Sequence, residues 1–171
     1  MAVLRNRTTG EVISEPTAVE AAMERIGVIY EVWGTDLLPD DLSSRNLTDV
    51  EKQAVLAAFE LRLAKLRKER GYQTADVVTL YPDTPNLDVM LAKFDKKHLH
   101  TDDEVRFIVQ GRGVFTLYPA DSNEVIDAEL CPGDFITVPA NYHHLFTLTG
   151  ERQITAIRLF TDPAGWVAKY V

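Results

Sequence analysis

Residues His98–Val114 read "HLHTDDEVRFIVQGRGV", and how this stretch folds decides how the rest of the chain is organised. "EVRFIVQ" is rich in β-branched and aromatic residues and stops at Gly-Arg-Gly, the composition of a short strand closed by a tight turn. "QGRG" follows a strand and leads into another strand, not a helix, so it is read as a hairpin and not as a phosphate-cradling loop. The same texture continues downstream through "VFTLYPA", "EVIDAEL", "FITVP", "LFTLT" and "QITAIRLF", with "DSN", "CPGD", "ANYHH" and "GER" as separators. Six short strands at this spacing indicate a sandwich or barrel.

Upstream the period changes. From Glu15 to Gly71 the pattern is helical, with Pro16 opening and Gly27 closing a first helix. A longer helix is expected over "LTDVEKQAVLAAFELRLAKLRKERG": Thr48 and Glu51 have capping-box spacing, Val55, Leu56, Phe59, Leu63 and Leu66 form an apolar stripe, and Gly71 ends it. A short helix is expected at Asn86–Phe94. The fold class read from this order is mainly β with N-terminal helices (α+β). The 171 residues suit one domain, with a helical part about 15–71 packed on β structure about 75–163.

Composition narrows the function classes. The chain is 46% hydrophobic and 26% charged, an ordinary globular balance, and its net charge of −8 argues against nucleic-acid binding. The basic run "KLRKERG" (Lys65–Gly71) complements a helix C-terminus. No apolar stretch has the length of a membrane span and "MAVLRNRTTG" lacks the apolar centre of a signal peptide, so a cytoplasmic location is expected. Cys131 is the single cysteine, suits a reducing compartment, and is read as structural. Nothing in the composition demands an oligomer, and a monomer is expected.

The four histidines are the informative residues. Two lie in "HLHTDDE" and two in "PANYHHLF" (Pro139–Phe146). In an extended segment alternate side chains share a face, so His98 and His100 point the same way, and Glu104 shares their parity. His143 or His144 would complete a set of imidazoles and one carboxylate. Such donors suit a borderline divalent ion such as iron, nickel, manganese, copper or zinc, and four protein ligands leave an octahedral ion two open positions. An isolated HxH is more often a hydrogen-bonded pair than a metal site. The glutamate spacing, the Pro-Gly turn and the second histidine segment favour the metal.

"HLHTDDE" resembles the first motif of the cupin superfamily, a histidine pair and a glutamate on one barrel strand. "PGDFITVPANYHH" resembles the second, whose ligand histidine lies five residues after a proline, here Pro139 and His144. "TADVVTLYPDTPNLDVMLAKF", "DEVRFIVQGRGVF", "DFITVPANYHHLF" and "AIRLFTDPAGWVA" together resemble the acireductone dioxygenase family from about Gly71 to Ala168. The resemblance implies a cupin, jelly-roll β-barrel and places the metal ligands on His98, His100, Glu104 and His144. His143 stands where relatives more often have proline, and Lys97 where they often have an acidic residue.

What the resemblance implies about chemistry is specific. The substrates would be acireductone, an enediol ketone with a methylthio tail formed in methionine salvage, and O2. One Fe2+ or Ni2+ per chain would serve as Lewis acid, binding the enediolate at its open positions. Iron would give the 2-keto acid precursor of methionine and formate; nickel would give methylthiopropionate, formate and carbon monoxide. Arg106 shares parity with Glu104 and is the candidate catalytic and substrate-binding cation. Arg158 is a second candidate, the alternative being a buried pair with a carboxylate such as Asp134. Phe94, Phe146 and Trp166 match aromatic pocket positions, and Asp102, Asp103 and Glu104 are not ranked as the base. Competing readings are another small metal-dependent cupin, an isomerase or other dioxygenase, and an effector-binding cupin with a structural ion. Serine-type hydrolysis lacks its GxSxG motif.

Overall fold

The structure, a computed structural model, describes residues 1–43 and 45–171. In chain order the elements are β1 (Val3–Asn6), β2 (Val12–Ile13), α1 (Pro16–Arg25), β3 (Ile29–Val32), α2 (Asp49–Ala58), α3 (Glu60–Arg70), β4 (Thr74–Leu80) and α4 (Leu87–Leu91). They continue with β5 (His98–Leu99), β6 (Glu104–Gly111), β7 (Gly113–Tyr118), β8 (Ile126–Leu130), β9 (Asp134–Val138), β10 (His143–Leu148), β11 (Ile154–Phe160) and β12 (Lys169–Tyr170).

The helix signals act as their chemistry dictates. The Glu15 carboxylate accepts from the Ala18 N–H at 2.9 Å to cap α1, and Thr48 and Glu51 form the reciprocal capping box of α2. The expected long helix is interrupted at Phe59, whose backbone (φ −101°, ψ 8°) leaves the helical range while its ring is buried 4.5 Å from Phe107. α4 is shorter than expected because Asn86 is left-handed (φ 57°), so regular helix begins only at Leu87 and is already lost after Leu91.

The strands form two antiparallel sheets, a jelly-roll arrangement that does not close into one continuous hydrogen-bonded ring. The seven-stranded sheet runs β12-β5-β10-β7-β8-β1-β2 and the five-stranded sheet β3-β9-β6-β11-β4. Between them lies one core, with Leu4, Phe115, Leu117, Ala128 and Phe146 facing Ile108, Ile136, Ile154 and Ala156. The outer face of the five-stranded sheet buries Val105, Phe107, Phe135, Ile157 and Leu159 under Trp33 and the α2–α3 residues Val55, Phe59 and Leu63. That sheet is covered on both faces, which explains why "FITV" and "ITAIRLF" are nearly continuous apolar runs and not alternating ones.

Two readings are corrected. "QGRG" is not a hairpin: β6 pairs with β9 and β11, β7 pairs with β10 and β8, and the turn carries the chain from one sheet to the other. Gly111 makes this corner with φ +70°, where a Cβ would lie 2.1 Å from the Gln153 carbonyl oxygen. The stretch 15–71 is not wholly helical either, because Ile29–Val32 adds an edge strand beside β9.

Candidate metal centre

His98 and His144 are register partners on β5 and β10, so their side chains share one face of the seven-stranded sheet. His100 follows β5, and the bend at 101–103 then crosses to the five-stranded sheet, where Glu104 is the first residue of β6. The histidine pair and the glutamate are therefore not on one strand; the expected shared face is produced by two sheets meeting. All four side chains are buried, none more than 3% exposed, and one donor atom from each lies within 4.8 Å of the others.

Every outer atom of this set is pinned and every inner atom converges. The Nδ1 atoms of His98, His100 and His144 lie 2.6, 3.0 and 2.8 Å from the carbonyls of Lys96, Val167 and Tyr142. A carbonyl only accepts, so these nitrogens carry the hydrogens and the Nε2 lone pairs face inward. Glu104 Oε1 accepts from Arg106 Nε at 2.8 Å, while Oε2 lies 2.9 Å from His144 Nε2 and 3.1 Å from His100 Nε2. The His100 contact lacks hydrogen-bond alignment, leaving that buried nitrogen without a hydrogen-bond partner. Inward lone pairs against a carboxylate oxygen repel unless a cation lies among them. Donors about 2.0–2.2 Å from one ion sit up to about 4 Å apart, close to the observed spacing. The residues fit a divalent metal.

Without an ion, the contacts within the cluster set its charges. Burial alone would raise the Glu104 carboxyl, but the Arg106 guanidinium and the two imidazoles hold it well below the usual carboxylate range. Burial, with the neighbouring imidazoles, depresses His98. Burial also works against a charged His100, but contact with Glu104 outweighs it and raises that imidazole.

Residues 35–168 match the ARD/ARD′ family. The chain belongs to that family. Acireductone dioxygenase from Geobacillus kaustophilus (strain HTA426) is 45% identical over 169 residues, which span 98% of this chain and 94% of the relative. The protein of the same name from Bacillus anthracis is 43% identical over 171 residues, 99% and 100% of the two chains. A solved structure of acireductone dioxygenase from Bacillus anthracis with a cadmium ion in its active centre superposes with a TM-score of 0.94, covering 99% of this chain and 98% of the other. The ARD/ARD′ family chain thus shares its cupin fold with a metal-containing relative.

Around the ARD-family cluster the other candidates divide. Arg106 is buried, with its Cζ 4.5 Å from the Phe146 ring, 5.3 Å from Trp166 and 5.7 Å from Phe115. Arg158 is its cross-strand partner on β11 and pairs with a carboxylate, Asp76, at 2.9 and 2.6 Å, at a part-exposed position; Asp134, the carboxylate offered as an example in the alternative reading, takes the Tyr30 hydroxyl and the Cys131 N–H. Trp166 stands 6.2 Å from the His100 ring and 5.7 Å from the Arg158 Cζ. Phe94 is half-buried against the core, and its carbonyl accepts from the Phe146 N–H. His143 is the register partner of Tyr118 and stays outside the cluster, so His144 is the neighbour that reaches it.

Sequence reasoning missed Phe115, whose ring lies 6.0 Å from His144, and Tyr170, 6.2 Å from His98. The signal for Phe115 was its pairing with Phe146 across β7 and β10, legible only once the two strands are known to be neighbours. Asp103 accepts from Tyr72 and from the Ala140 N–H, one bond to each oxygen. Cys131 is half-buried, and burial pushes its thiol up, in keeping with a structural role. Among the described residues no helix is long and apolar enough to cross a membrane.

Proposed function

We propose that this chain is an acireductone dioxygenase of methionine salvage, holding one Fe2+ or Ni2+ on His98, His100, Glu104 and His144 and cleaving acireductone with O2. The observation that carries the proposal is the buried cluster, in which three Nε2 atoms and one carboxylate oxygen converge while each outer atom is tied elsewhere. Full-length similarity to enzymes of that name supplies the substrate class.

When bound, the divalent ion supplies Lewis-acid polarisation and open positions for substrate oxygens. The remaining work falls to this chain's side chains. The Nδ1 bonds to Lys96, Val167 and Tyr142 hold the imidazoles in one tautomer and orientation. Arg106, charged and tethered by Glu104, offsets the negative charge of an enediolate, and Arg158 adds a second cation at the more exposed side. Phe146, Trp166 and Phe94, with Phe115, supply an apolar lining for a methylthio tail. Residues 1–171 act as one cupin unit in this reading, because α2 and α3 cover the outer face of the five-stranded sheet.

The test is aerobic turnover of acireductone by metal-stripped protein reloaded separately with Fe2+ and Ni2+. The expected result is rapid loss of the enediolate with formate in both cases, the 2-keto acid with iron, and methylthiopropionate with carbon monoxide with nickel. Folded, loaded protein that does not exceed the spontaneous rate would overturn the proposal in favour of another small metal-dependent cupin.

A further inference from the structure

Three of the four ligands, His100, Glu104 and His144, flank two connections. Residues 101–103 join His100, just past β5, to Glu104 on the five-stranded sheet, and residues 139–142 lead from β9 toward His144. These connections are laced together: the Asn141 N–H donates to the His100 carbonyl at 2.7 Å and the Ala140 N–H to Asp103 Oδ1 at 3.0 Å. The Trp166 indole N–H closes on the Asp103 carbonyl at 3.0 Å. The remaining Asp103 oxygen, Oδ2, accepts from the Tyr72 hydroxyl at 3.2 Å.

Tyr72 belongs to a different part of the molecule. It directly follows Gly71, the left-handed cap of α3, and is 2% exposed in the core beneath the helices. Burial pushes its phenol up to about 12, so it remains a donor throughout the neutral range. A buried tyrosine needs a partner for its hydroxyl. This one spends it on the bend between two members of the cluster.

We infer that Tyr72 is a positioning residue for the metal centre, acting through Asp103 to fix the 101–103 bend and with it the separation of His100 and Glu104. The inference rests on the reading of the four residues as metal ligands. Loss of the hydroxyl frees one side of the bend while the aromatic ring and its packing stay. The cluster then samples wider ligand spacings, and an ion is held less tightly and in a less defined geometry.

The probe is Co2+ alone, titrated into metal-free wild-type protein, Tyr72→Phe, Asp103→Ala and the double variant, reading affinity and the visible d–d bands. Tyr72→Phe is expected to bind Co2+ about tenfold more weakly with altered band intensities, the size of effect seen when outer contacts of metal ligands are removed. Its metal-free melting temperature should fall by no more than about 4 °C, the loss of one hydrogen bond. The double variant should be no weaker than Asp103→Ala. Unchanged Co2+ binding in Tyr72→Phe, or an equal further loss in the Asp103→Ala background, overturns the inference. Wild-type protein that takes up no Co2+ overturns the metal centre as well.

Discussion

His98 and His144 face each other as register partners across the β5–β10 ladder, with ring centroids 4.6 Å apart. β5 is two residues long, so the pairing that aligns these rings is confined to the site itself. Replacing His98 with alanine is expected to abolish tight binding of iron and nickel while the sheets persist. Metal stoichiometry after dialysis, with far-ultraviolet circular dichroism as the control for folding, checks this. An unchanged metal content would remove His98 from the ligand set.

Arg106→Leu strips the buried Glu104 carboxylate of its cation at a site where both side chains are almost wholly inaccessible. Removing one partner of a buried pair costs about 3–5 kcal/mol, so the metal-free variant should unfold at distinctly lower denaturant concentration. At saturating ion the metal should still be taken up, with lower affinity because Glu104 loses its outer contact, and turnover should fall. Wild-type kinetics in the loaded variant would exclude Arg106 from the substrate site.

Gly113 lies under Phe146, and a Cβ there would stand 2.5 Å from the ring whose face covers Arg106. Gly113→Ala is expected to destabilise by about 1–3 kcal/mol and to lower turnover, because the ring that covers the guanidinium must shift. Gly150→Ala, with nothing within 4 Å of the added carbon, is the matched control and should be near neutral. Equal melting temperatures for the two variants would contradict the packing.

Tyr72 and Tyr142 are both pushed by burial from 10.0 to about 12, and Tyr30 is raised further. Their folded values lie above the unfolded one, so the stability they contribute is complete below pH 10. It is lost as the pH rises through 10 toward 12, where the unfolded chain gives up protons that the folded chain keeps. Ultraviolet titration should show these three phenols ionising together with unfolding and not before. A smooth titration of every tyrosine near pH 10 in folded protein would refute their burial.

The strands from Glu104 to Phe160 were legible because β-branched runs broken by Gly, Asn, Asp and Pro are local signals, and the observed strands fall within a residue or two of those runs. The caps at Thr48 and Gly71 were legible for the same reason. What sequence did not carry was pairing. "QGRG" has hairpin composition, but its strands find different partners, and the interior demanded by β9 and β11 decides the matter. β5 and β12 are two residues each, too short for any periodicity. At the site, parity put His98, His100 and Glu104 on one face of one strand, whereas the structure brings them together from two sheets across a bend. Arg158's partner on β4 was equally a question of which strand lies alongside.

Glu104 stands on the five-stranded sheet and His98 and His144 on the seven-stranded one, so an ion held by all of them fastens the two layers to each other. Metal-free, the layers near this end are joined by the 101–103 and 139–142 connections and the hydrogen bonds between them, and the strands beyond can part in small local openings. With the ion in place, amides of β5, β6 and β10 should exchange with solvent as one cooperative block, their protection rising with free metal by about 4 kcal/mol at a thousandfold excess over Kd. The same four side chains proposed for oxygen chemistry would then also set how the sandwich comes apart.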